Sequence, residues 1–149
     1  MGLKKWWHLP IAIIVAALMS SFLVRPAEGR LRVNVKGISN RNGTIALLLF
    51  RGNEGFPSDP TKAIGSVTIP ISELTVSHLF TQLTAGEYAV TVMHDENKNG
   101  KLDTNLFGIP EEGIGVSNNA LNMFGPPVFQ ECAIMVREGD NQITIELDY

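Results

Sequence analysis

"LTAGEYAVTVM", residues Leu83 to Met93, is the stretch whose reading decides the fold. Tyr88, Val90 and Val92 fall on one side of an extended chain, because side chains of a strand alternate between its two faces. Leu83, the turn glycine Gly86 and Tyr88 stand together where that strand begins. In sandwich domains a tyrosine so placed turns its hydroxyl back onto the backbone of the preceding corner. The other reading is an ordinary core aromatic, and the residues leave both open.

The same alternation recurs outward from this strand. Leu31, Val33 and Val35 alternate with Arg32, Asn34 and Lys36, and Ile45 to Phe50 is apolar on both faces. Asn42-Gly43 between these runs predicts a tight hairpin turn, since both residues tolerate positive φ. Val67, Ile69 and Ile71 continue the pattern, followed by Leu74, Val76 and Phe80. Ile134 with Val136, and Ile143, Ile145 and Leu147, supply two closing strands. Arg51 to Ala63, with two prolines and two glycines, reads as a surface loop. No helical periodicity and no internal repeat follows residue 30. About seven short strands in one chain predict an all-β fold, a small antiparallel β-sandwich with one long structured loop.

Residues 1–29 have the three parts of a secretory signal: Lys4 and Lys5, the apolar run Leu9 to Val24, and Ala27-Glu28-Gly29 before a cleavage point. The alternative is an uncleaved anchor, but the run is sixteen residues, short of the roughly 20 that span a bilayer. Cleavage leaves residues 30–149 as a single domain, exported to the periplasm or secreted, without a stable membrane anchor. The formal charge of the chain is −3, of which residues 1–29 supply +2, so the exported part carries −5. With no basic cluster, nucleic acid and anionic membrane surfaces are poor partners, and a protein, peptide or glycan ligand is the class left. Cys132 is the only cysteine, which excludes an internal disulfide. Its neighbours Phe129 and Ile134 predict a buried small hydrophobe rather than a reactive thiol.

The strand ending at Met93 runs into "HDENKNGKLD", His94 to Asp103. With Asp95 as position 1, Asn97 is 3, Asn99 is 5, Gly100 is 6, the Lys101 carbonyl is 7 and Asp103 is 9, the order of a calcium loop. Calcium takes oxygen ligands from alternating positions of a loop that bends sharply at a glycine. Position 12, where such loops carry a bidentate Glu, is Leu106; Glu111 or Glu112 would have to fold back. Two charges among the ligands predict weak binding, on the order of 10⁻⁴ to 10⁻³ M. Asp and Asn also form turns with their own backbone without any metal. Both readings stand.

Leu106 to Phe129 is long, rich in glycine and proline, and dotted with apolar residues, which predicts a structured and functional excursion. Phe107, Phe124 and Phe129 either pin it to the sandwich or line a ligand groove; pinning is the expectation, because a small sandwich has little other core to offer these rings.

At these residues the chain resembles a family of small secreted bacterial proteins grouped as a domain of unknown function. The resemblance rests on "HDEN-NGKLDTN" at His94 to Asn105, "GIP-EG-G-SNNA" at Gly108 to Ala120 and "FGPP-F" at Phe124 to Phe129. It covers essentially all of residues 30–149 and implies an immunoglobulin- or transthyretin-like sandwich, exported and without an assigned activity. Where other members often have aromatics, this chain has Ile114 and Val116.

Two functions are carried forward. The first is an exported, non-catalytic module whose loop binds calcium, stabilising the domain or presenting a binding surface. The second is an extracytoplasmic hydrolase using the acidic loop with His94 as base. The chain has no G-x-S-x-G elbow, H-E-x-x-H pair or phosphate loop, and His94 and Asp95 point to opposite faces of a strand. Residue chemistry therefore favours the non-catalytic module.

Overall fold

The computed structural model describes residues 28–122 and 125–149. The signal segment up to residue 27 and Phe124 lie outside the described residues. Among the described residues, eight strands form two sheets. β1 (Glu28–Lys36) is central in a three-stranded sheet of order β4-β1-β8, between β4 (Val76–Thr84) and β8 (Gly139–Glu146). The second sheet has the order β3-β2-β5-β6, from β3 (Gly65–Pro70), β2 (Thr44–Phe50), β5 (Gly86–Asp95) and β6 (Ile114–Val116). β7 (Ile134–Val136) pairs with the start of β5. This is a small β-sandwich. All strand pairs are antiparallel except β1–β8, which run parallel from Gly29↔Gly139 to Lys36↔Glu146.

The alternating residues build the core between the sheets. Leu31, Val33 and Val35 are wholly buried and meet Ile45, Leu47, Leu49, Tyr88, Val90 and Val92 from the facing sheet. β2 is apolar on both sides for a reason. Ile45, Leu47 and Leu49 enter the main core, while Leu48 and Phe50 face a second cluster with Ala89, Val116, Phe129 and Cys132. In that cluster Phe56, from the surface loop, packs edge-on between Phe50 and Phe129, at 5.5 and 5.7 Å. The expected pinning by Phe129 holds, and burial makes Cys132 inert, its thiol pushed up to about 11 by desolvation and then by Glu131.

The corner reading of Tyr88 is the observed one. Its hydroxyl donates to the Thr84 carbonyl at 2.7 Å, closing the β4–β5 corner. The hairpin expected at Asn42-Gly43 is corrected. β1 and β2 belong to different sheets, and the Lys36-to-Thr44 segment crosses between them, anchored by buried Ile38. Gly43 does have positive φ (73°), but its turn serves the crossover. Leu74 is also outside its expected strand, exposed ahead of β4. The long loop contains more regular structure than its sequence pattern predicts: β6, a 3-10 turn at Ser117–Asn119 and a one-turn helix α1 (Phe129–Cys132). Ser117 fastens it, accepting from the Val90 N–H at 3.0 Å and donating to the Cys132 carbonyl at 2.5 Å.

Candidate functional site

The site is at the end of β5, where the strand leaves the sheet beside Thr44 of β2. His94 continues the core face of Tyr88, Val90 and Val92 and is wholly buried. Its Nε2 lies 2.8 Å from the Asn42 carbonyl, which only accepts, so Nε2 carries the proton. Nδ1, 2.7 Å from the Tyr149 hydroxyl, is therefore the acceptor in the neutral ring. The Tyr149 oxygen in turn accepts from the Ser39 N–H at 3.0 Å. His94 thus ties the crossover, the end of β5 and the C-terminal Tyr149 together. Both ring nitrogens are committed.

Asp95 turns to the other side and opens the loop. It is 5% exposed, and its two carboxylate oxygens accept from the Asn99 N–H at 3.0 Å and the Gly100 N–H at 2.8 Å. The alternating residues then make successive turns: Asn97 Oδ1 accepts from the Asn99 N–H at 2.9 Å, and Asn99 Oδ1 from the Lys101 N–H at 2.7 Å. Lys98 (φ 64°) and Gly100 (φ 73°) take the left-handed conformations that wind the loop this tightly. The side-chain amide Nδ2 of Asn97 donates to Asp103, and that of Asn99 reaches both Asp103 oxygens at 3.0 and 3.1 Å. Asp95, Asn97, Asn99, Lys101 and Asp103 are therefore gathered into one hydrogen-bonded loop.

Glu112 is the residue that completes this arrangement. It is 4% exposed, and its two oxygens accept from the Glu96 N–H at 2.9 Å and the Asp103 N–H at 3.1 Å. One side chain from just before β6 thus clamps the two ends of the loop. The missing position-12 glutamate had pointed to Glu111 or Glu112; only the fold shows that Glu112 comes back, and that it grips backbone. Leu106, at that twelfth position, is fully exposed.

The donor set fits a hard cation in chemistry and number only in part. Among the described residues no three Asp, Glu, His or Cys side chains converge to hold a metal. A calcium site here would use the second lone pairs of Asp95, Asn97 and Asn99, the Asp103 carboxylate and a backbone carbonyl. Beyond the clamp, Asp103 to Glu111 forms a narrow hairpin. Glu111 N–H donates to the Asp103 carbonyl at 2.9 Å, and Thr104 bridges Pro110. Asn105 organises its tip, its Oδ1 accepting from the Phe107 N–H at 2.9 Å and the Ile109 N–H at 3.1 Å. The sequence signal for that turn is Asn followed by Gly108 three residues on. Phe107, expected to pin the loop, is 88% exposed instead. The hairpin holds itself by hydrogen bonds and carries its ring outward.

A family profile described as "Uncharacterized protein conserved in bacteria (DUF2141)" matches residues 33–144. No curated protein and no solved structure matches the chain.

Proposed function

We propose, for a chain that belongs to this uncharacterised bacterial family, the role of an exported, non-catalytic binding module whose Asp95–Glu112 loop is a display scaffold stiffened by calcium. The observation that carries the reading is the pair of carboxylates, Asp95 and Glu112, buried in one loop, with no Lys or Arg within ion-pairing reach among the described residues. Backbone N–H groups hold both, yet two negative charges withdrawn from water favour a cation close by. Around them stand Asn97, Asn99, Lys101 and Asp103 in the order a calcium loop uses. With Leu106 pointing to solvent and Glu112 committed to backbone, the bidentate ligand is missing. Affinity on the order of 10⁻⁴ to 10⁻³ M follows. Export rests on the signal pattern of residues 1–29.

The test is melting in millimolar calcium and in chelator. A ligand that binds only the folded state adds about 1.4 kcal/mol at about ten times Kd, or roughly 3–6 °C for a domain of this size. Wild type should show that rise. Asp103→Ala should lose it while melting in chelator close to wild type, because the Asp103 carboxylate accepts only from the two asparagine amides. Identical wild-type melting in both media would exclude calcium and leave the Asp-Asn turns as the whole explanation. The hydrolase alternative has no geometric support, since its base, His94, is sealed from water and bonded at both nitrogens.

A further inference from the structure

The hairpin tip gathers large apolar side chains in water. Leu106 is 101% exposed, Phe107 88% and Ile109 58%, with Leu102 at 41% nearby in the chain. A cluster of this kind on one protrusion marks a contact surface, whereas single exposed apolar residues do not. Most of the N–H groups of the tip are already satisfied. Asn105 N–H donates to the Ile109 carbonyl and Gly108 N–H to the Asn105 carbonyl, both at 2.9 Å. The Phe107 and Ile109 N–H groups both end on Asn105 Oδ1. A segment that leaves water is helped when its polar groups are satisfied internally, as the N–H groups of Asn105, Phe107, Gly108 and Ile109 are here.

Shape and charge select the occupant. The tip is convex, so it needs a medium it can enter. In a second copy, two surface clefts carry charged side chains rather than a purely apolar lining. One is lined by Arg41, Glu96 and Lys98 and the other by Arg30, Arg32 and Asp140. Lys98 and Lys101 are exposed in the same loop, ammonium groups suited to lipid phosphates beside an inserted apolar tip. We propose that the Leu106–Ile109 tip inserts into the interfacial layer of a lipid bilayer, with Lys98 and Lys101 against its phosphate groups. Insertion is driven by apolar burial, so the acidic net charge of the domain does not oppose it on a zwitterionic surface. This rests on the reading of the domain as a binding module and names what the scaffold displays its tip to. The start of β1 is at the other end of the sandwich, beside Thr84 at the end of β4.

The experiment places an environment-sensitive dye on Phe107→Cys in the full chain and, separately, on Asp140→Cys, at the end where β1 begins. Cys132 stays unlabelled because it is buried and its thiol is held at about 11. With phosphatidylcholine vesicles the dye at 107 should shift to the blue and the dye at 140 should not. Leu106→Ser with Ile109→Ser should weaken that response by about tenfold or more while leaving the melting temperature unchanged. A response at 140 alone, at neither position, or undiminished by the double substitution overturns the proposal. Crosslinking from position 107 to a protein, with vesicles leaving the dye unmoved, also overturns it in favour of a protein partner. That last result leaves the binding-module reading intact, and loss of calcium dependence leaves the vesicle result intact.

Discussion

Gly43 shows how closely single residues are specified around the loop. Its φ is 73°, and a Cβ there would overlap the Asp95 carbonyl oxygen and come within 2.5 Å of the Glu96 Cα. Both obstacles are backbone, so neither can swing aside. Gly43→Ala should therefore cost about 2–4 kcal/mol, from left-handed strain and overpacking together. A shift in the urea midpoint at unchanged slope would measure it; a loss below 1 kcal/mol would mean that the crossover relaxes away from β5. His94 and Tyr88 are specified differently, by the hydrogen bonds they close from inside the core. In each, a polar atom on an apolar body fastens a turn to the sandwich.

At the scale of elements, the loop from Asp95 to Glu112 depends on one long-range clamp. Glu112→Ala removes the acceptor of the Glu96 and Asp103 N–H groups and should cost about 1–3 kcal/mol. The loss should be local. Amide exchange at Glu96 and Asp103 should speed up while Leu31, Val33 and Val35 stay protected, and uniform loss of protection would refute a loop-only role. The strands were legible in the sequence because a two-sided environment forces alternation; Leu31, Val33, Val35, Tyr88, Val90 and Val92 all proved to be core. The turns of Asp95, Asn97 and Asn99 were legible for a similar reason, since each acts on backbone a few residues ahead. What stayed hidden depended on distant partners. β6 is three residues long and becomes a strand only by docking on Thr91–Met93. The β1–β2 hairpin failed because local turn chemistry cannot say which sheet the next strand joins. Phe107 failed because an aromatic residue carries no mark of the side it faces.

For the whole molecule, the position of the N-terminus matters most. β1 takes in Glu28 and Gly29, which pair with Thr84 and Leu83, ahead of the expected cleavage point. A chain beginning at Arg30 loses those pairs and keeps the register from Leu31↔Phe80 to Val35↔Val76, where the buried residues are. If residues 1–29 act as the proposed signal, the extracytoplasmic fraction should contain a chain with the intact mass of one starting near Arg30. A mass that includes residue 1 would refute export by cleavage. The parallel pairing of β1 with β8 has a consequence for how the protein is made. On the ribosome β1 emerges early, but the strand that lies along its second edge comes about a hundred residues later, roughly 5–20 s at ordinary synthesis rates. Through that interval β1 has at most β4 beside it. The three-stranded sheet closes only when β8 is delivered, so a message cut short before β8 yields a polypeptide in which β1 lacks one of its two neighbours.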